Sequence, residues 1–162
     1  MYTKIYWIHQ FDNGSKLGIM PRPRGDDWLK EEIIKLKKQN IGVWVSLLEA
    51  HETSELGLRD QASLCSKHDL NFINFPIVDR GIPEKGSKVD QLISQLALKI
   101  QDGETVVIHC RMGIGRSSII AASILLQYGF KTEQILQKIT SARGLKVPDT
   151  EQQVQWLKSR KK

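Results

Sequence analysis

Between residues 105 and 118 the chain passes from an unbroken apolar run, Thr105-Val106-Val107-Ile108-His109, through Cys110-Arg111-Met112-Gly113-Ile114-Gly115-Arg116, into a second apolar stretch with helical composition to about residue 128. This segment restricts the fold more than any other. A strand apolar at nearly every position must be covered on both faces, as in a parallel sheet with helices on each side. When such a strand feeds a helix directly, the loop between them sits where ligands collect in open α/β sheets. A second buried strand is expected over 41–48 (IGVWVSLL) and an alternating one over 70–76 (LNFINFP). Asp26 or Asp27 can cap a helix running to about residue 39, with Trp28, Ile33, Ile34 and Leu36 as its apolar face. Further helices are expected over about 54–68, 87–101, 116–128, 132–142 and 149–160. Two short runs, 4–9 and 16–20, flank Asp12-Asn13-Gly14-Ser15, an Asn-Gly hairpin signal. The expectation is an α/β domain with a mainly parallel central sheet flanked by helices and a small N-terminal hairpin.

With no repeat, linker or low-complexity tract in 162 residues, 1–162 reads as one domain. Lys and Arg outnumber Asp and Glu by 24 to 18, a net +6 that suits an anionic partner without naming it. Part of that excess, Lys158, Arg160, Lys161 and Lys162, reads as a solvated helix end. No nucleic-acid partner is expected. Cys65 and Cys110 are the two cysteines. Two cysteines do not make a secreted disulfide scaffold, and no Cys/His cluster has zinc-ligand spacing, so no metal or other cofactor is expected. Met1-Tyr2-Thr3-Lys4 lacks the start of a signal peptide and the apolar runs are too short to span a bilayer. A soluble, cytoplasmic protein is expected.

The loop after the 105–109 strand carries the chemistry. The helix opening near Arg116 offers unpaired N–H groups and the positive end of its dipole. Gly113 and Gly115 let the loop curl until the N–H groups of Arg111, Met112, Gly113, Ile114, Gly115 and Arg116 converge, a nest sized for a tetrahedral oxyanion. Cys110 lies at its floor as the candidate nucleophile. The planar fork of Arg116 can grip two oxygens of a phosphate, and Ser117 can hydrogen-bond the sulfur. His109 is read as a brace for the loop rather than a proton carrier. Cys65 is read as core.

His109-Cys110-Arg111-Met112-Gly113-Ile114-Gly115-Arg116-Ser117 resembles the His-Cys-x5-Arg-Ser/Thr signature of the cysteine-dependent protein tyrosine and dual-specificity phosphatases. Phe75-Pro76-Ile77-Val78-Asp79-Arg80-Gly81-Ile82-Pro83 looks like the general-acid loop of that family, and the resemblance extends from about residue 16 to 157. The pairing of these segments is most similar to kinase-associated dual-specificity phosphatases and their bacterial relatives. The acid precedes the cysteine by 31 residues, the reverse of the order in low-molecular-weight tyrosine phosphatases. No Lys-Ser/Thr ends the glycine loop, which sets aside a Walker-type nucleotide site. The resemblance implies a phosphomonoester hydrolase acting through a cysteinyl-phosphate, with Cys110, Arg116, Asp79 and Ser117 catalytic and a phosphorylated protein as substrate.

Other residues are ambiguous in the sequence. Asp60 and Asp69 are secondary candidates for the acid. Arg111 can steer anions or point to solvent, and Arg22 and Arg24, on a proline-rigidified turn, can border the pocket or simply lie exposed. Met112 and Ile114 are apolar where phosphoinositide phosphatases of this superfamily carry lysines. Gln152 or Gln153 could position water, but Asp149/Gln152 and Thr150/Gln153 are also capping-box pairs. Two alternatives to a phosphoprotein phosphatase stay open: a phosphatase of a phosphoinositide or RNA 5′ end, and a non-catalytic phosphate-binding adaptor.

Overall fold

A computed structural model describes residues 3–160; the ends of the two terminal readings, at Met1, Tyr2, Lys161 and Lys162, lie outside them. Strands β1 (Tyr6–Gln10) and β2 (Lys16–Met20) form the N-terminal hairpin. They are followed by α1 (Leu29–Lys38), β3 (Ile41–Ser46), α2 (Ala50–Glu55), α3 (Gln61–Lys67) and β4 (Asn71–Asn74). The chain continues through α4 (Lys88–Gln101), β5 (Thr105–His109), α5 (Arg116–Gln127), α6 (Thr132–Arg143) and α7 (Glu151–Ser159). The sheet order is β1-β2-β5-β3-β4, with β1 antiparallel to β2 and every other neighbour pair parallel. The expected α/β architecture is therefore present.

Strand alternation divides the interior into two cores. Leu17, Ile19, Val43, Val45, Val106 and Ile108 face α4, α5, α6 and α7. Met20, Trp44 and Val107 face the other way, against Leu29, Ile33 and Leu36 of α1 and Cys65 of α3. Cys65 is thus a core residue on the opposite side of the sheet from Cys110, and burial pushes its thiol up to about 12. β5 lies between β2 and β3, so its buried end delivers the phosphate-type loop to the middle of the sheet edge.

Two local expectations need correction. The helix expected over 54–68 is two helices. Gly57 adopts φ +70, Leu58 N–H donates to Thr53 O at 2.9 Å and Gly57 N–H to Ser54 O at 3.4 Å. That is a Schellman stop, which a left-handed glycine makes inexpensive. Residues 26–28 form a short 3₁₀ turn rather than the capped start of α1, and Trp28 is exposed with Arg24 over its ring at 4.7 Å. Leu29 takes the buried place expected of Trp28.

Candidate active site

Cys110 directly follows β5 and is 2% exposed, at the base of a pocket whose lining includes Asp79, Met112, Ile114, Gly115 and Arg116. Gly113 N–H donates to Cys110 Sγ at 3.2 Å, and Ser117 Oγ lies 3.3 Å from the same sulfur. With a thiol the S–H can donate to that hydroxyl; with a thiolate the hydroxyl donates to sulfur. Gly113 has φ +70, and a Cβ there would come within 2.7 Å of Met20 C and Pro21 N. Both the backbone conformation and the close approach of the β2 exit demand glycine at this position.

Arg116 is 2% exposed, and both of its terminal nitrogens are engaged. Its Nη1 donates to Glu52 Oε1 at 2.8 Å and to Ile77 O at 2.9 Å. Its Nη2 donates to Glu52 Oε2 and to Asp79 Oδ1, both at 3.0 Å. Burial alone would favour loss of the Arg116 proton, but the Glu52 hydrogen bonds and the charges of Cys110, Glu52 and Asp79 outweigh it and raise its pKa. The same balance acts on Glu52. Burial opposes its charge, while hydrogen bonds from Arg116 and from Glu49 N–H, with the charges of Arg116 and Arg111, hold it below the usual carboxylate range. Glu52 is 1% exposed, and breaking a buried pair of this kind costs roughly 3–5 kcal/mol.

Glu52 escaped the sequence reading. Its only local signal is the capping box in which its side chain accepts from Glu49 N–H at 3.0 Å. Arg111 does not stand free to steer anions: its Nη1 lies 3.7 Å from Glu52 Oε2 and 3.6 Å from Glu55 Oε2. Arg22 is exposed, and its N–H donates to Arg111 O at 3.1 Å. Arg24 lies 3.5 Å from Glu32 Oε2 through Nε.

Asp79 lines the Cys110 pocket, carried by a loop whose next residue, Arg80, has φ +61. That loop is fastened to the start of α7 by Arg80 Nη1 donating to Asp149 Oδ2 at 2.9 Å and Gln153 Nε2 donating to Gly81 O at 3.0 Å. Asp69 is instead the left-handed residue that ends α3, with φ +57 and Leu70 N–H bonded to Cys65 O at 2.9 Å. Asp60 lines a different cleft, beside Asp26 and Arg59. Gln152 is exposed, whereas Gln153 is buried and does two things. Its Oε1 accepts from Asp149 and Thr150 N–H at 3.0 and 3.1 Å, completing the Thr150 capping box, and its side chain also lines the Cys110 pocket.

His109 braces the loop. Its Nδ1 lies 3.2 Å from Cys110 O and its Nε2 lies 2.9 Å from Gln61 Nε2. A carbonyl can only accept, so Nδ1 carries the proton and Nε2 accepts from the Gln61 amide. Burial lowers the His109 pKa from 6.5 to about 4, so the native ring is neutral while an unfolded one charges below pH 6.5. Stability from this group is complete above pH 6.5 and is lost as pH falls towards 4, a difference on the order of 3 kcal/mol. Urea midpoints measured across pH 4–7 are expected to rise with pH in this window. His109→Asn should remove most of that slope; an unchanged slope would assign it to other groups.

Comparisons with known proteins agree with this geometry. The family model described as "Polymorphic toxin system, DSP-PTPase phosphatase" matches residues 18–130. Protein tyrosine phosphatase type IVA 3 of Bos taurus is 34% identical over 86 residues, 52% of this chain and 49% of that protein. Cyclin-dependent kinase inhibitor 3 of Rattus norvegicus is 27% identical over 131 residues, 80% of this chain and 61% of that protein. The chain therefore spans about half to three fifths of the length of these curated relatives. Among solved structures, a kinase associated phosphatase with serine substituted for its catalytic cysteine superposes with TM-score 0.85 at 20% identity, covering 97% of this chain and 93% of that one. Tk-PTP in its active form gives TM-score 0.75 at 20% identity, covering 96% and 94%. At these identities the likeness establishes the fold.

Proposed function

Because the chain belongs to the cysteine-dependent DSP-PTPase phosphatase family, we propose that it hydrolyses phosphomonoesters on proteins, phosphotyrosine first and phosphoserine or phosphothreonine as well, through a cysteinyl-phosphate. The observation that carries this reading is the convergence of Gly113 N–H, Ser117 Oγ and the Arg116–Asp79 pair around a single buried sulfur, Cys110 Sγ. A pure phosphate-binding adaptor has no use for the sulfur or the carboxylic acid.

Substrate phosphate competes with Asp79 for Arg116 Nη2, and the displaced carboxylate, having taken up a proton from solvent, turns to the leaving oxygen. Cys110 Sγ then attacks phosphorus, and the P–S bond forms as the P–O bond to the leaving group breaks. Asp79 gives its proton to the departing oxygen. Loop N–H groups and Arg116 hold the equatorial oxygens throughout, where charge is greatest in the transition state. In the second step Asp79, now a carboxylate, takes a proton from water as that water attacks phosphorus. The P–S bond breaks and phosphate leaves. Glu52 holds the guanidinium plane in place. In this reading the chain acts as one phosphatase domain, since the core that packs against α4–α7 draws on residues from Ile8 of β1 to Leu157 of α7.

Hydrolysis of p-nitrophenyl phosphate is expected to persist in EDTA and to be blocked by vanadate, which adopts the pentacoordinate geometry of the transition state. Activity that disappears in EDTA and returns with zinc or magnesium would overturn the mechanism. A panel of phosphopeptides, phosphoinositides and 5′-phosphorylated RNA then reads the substrate class. Faster turnover of either non-protein class would move the assignment away from phosphoproteins.

A further inference from the structure

A loop that turns its N–H groups inward must turn its carbonyls outward, because the C=O of one residue and the N–H of the next lie on opposite sides of one planar trans peptide. Buried carbonyls need donors, so the outer side of such a loop has its own hydrogen-bond requirement. Most of it is met nearby. Cys110 O accepts from His109 Nδ1 at 3.2 Å, Arg111 O from Arg22 N–H at 3.1 Å, and Gly115 O from Ile119 N–H at 3.1 Å.

At the tip Gly113 is buried and Met112 exposed, and the carbonyls of both are met by one side chain from a distant helix. Arg143 Nε donates to Gly113 O at 2.9 Å, and Arg143 Nη2 donates to Met112 O at 3.4 Å. Arg143 is the last residue of α6, stopped there by Gly144 at φ +75, whose N–H bonds Thr140 O at 2.8 Å. Its guanidinium is also held from the side, 4.1 Å from the centre of the Tyr6 ring on β1.

We propose that Arg143 is a positioning residue that fixes the tip of the phosphate loop in its anion-binding conformation. The inference rests on the phosphatase reading of this loop and adds a residue to it. By holding Met112 O outward, Arg143 aims Gly113 N–H at Cys110 Sγ, where it is found at 3.2 Å. By holding Gly113 O outward, it aims Ile114 N–H the same way. A planar fork with two parallel donors can serve two consecutive carbonyls; a lysine ammonium at the end of a flexible stem holds them less firmly. Arg143 touches no reacting atom and acts through those two peptide planes.

The test compares the parent with Arg143→Met and Arg143→Lys, reading tungstate affinity by calorimetry, kcat and KM for p-nitrophenyl phosphate, and Tm. Arg143→Met is expected to weaken tungstate binding about 10-fold and to lower kcat/KM about 10–100-fold, chiefly through kcat, the scale of a small misplacement of catalytic groups. Arg143→Lys should fall between Met and the parent. Millimolar guanidinium should partly restore Arg143→Ala. Tungstate affinity and kcat within twofold of the parent in Arg143→Met would overturn the proposal, as would a loss confined to Tm. If Arg143→Met does not fold, the same comparison with Arg143→Lys decides. Tungstate binding reads the loop whether or not the chain turns over substrate. A parent that binds tungstate without hydrolysis therefore counts against the phosphatase reading alone, and an unchanged affinity in the variants counts against Arg143 alone.

Discussion

Cys110→Ser is expected to lower turnover by roughly 10⁴–10⁶-fold, the range seen when a covalent nucleophile is removed from a unit that acts together. The hydroxyl that replaces the thiol is protonated at neutral pH and is a far weaker nucleophile. The surroundings of that atom do not depend on sulfur. Gly113 N–H can still donate to oxygen, Arg116 remains fastened to Glu52, and the loop carbonyls keep their outer donors. The fold should therefore survive. Tungstate affinity should also persist. Calorimetric binding with single-turnover assays checks both halves. Residual turnover within tenfold of the parent would place the nucleophile elsewhere.

Asp79→Asn should slow the first chemical step by on the order of 10²–10⁴-fold for poor leaving groups, the usual contribution of a positioned acid. The asparagine carbonyl can still accept from Arg116 Nη2, the bond that Asp79 Oδ1 makes at 3.0 Å. The clasp of Arg80 on Asp149 and of Gln153 on Gly81 is untouched, so the loop should stay in place while its proton is missing. One signature separates this from a structural defect. The loss should shrink as the leaving phenol becomes more acidic, since its departing oxygen needs the proton less. An equal loss for all leaving groups would make Asp79 structural.

What the chain discloses unaided is the part encoded over short distances. The 105–118 segment holds the strand, the loop, the sulfur and the arginine in consecutive residues, and its all-apolar strand admits little besides the centre of a covered sheet. Asp79 is visible for a similar reason, on a proline- and glycine-bounded loop directly after a strand. Even locally, periodicity had limits. Leu56 and Leu58 continue an apolar pattern across Gly57, and only the left-handed turn and its Schellman bonds show that α2 ends there. Trp28 fits a helical face by spacing, yet the 3₁₀ turn rotates it to solvent and gives Leu29 the buried place.

The distant partners of Arg116, His109, Gly113 and Gly81 were decided by tertiary structure. Glu52 meets Arg116 across 64 positions, Gln61 meets His109 across 48, Arg143 meets Gly113 across 30, and Gln153 meets Gly81 across 72. Each is a polar residue on a helix, and along the chain each reads as solvated surface or an ordinary cap. They become partners only because the order β1-β2-β5-β3-β4 puts β5 between two parallel neighbours and gathers the ends of α2, α3, α6 and α7 around its exit. The physical reason is a division of labour. A nucleophile and an anion nest can be built from one continuous turn of backbone, whereas the buried charge of Arg116, the imidazole of His109 and the outward carbonyls need partners that their own turn of chain leaves unsupplied.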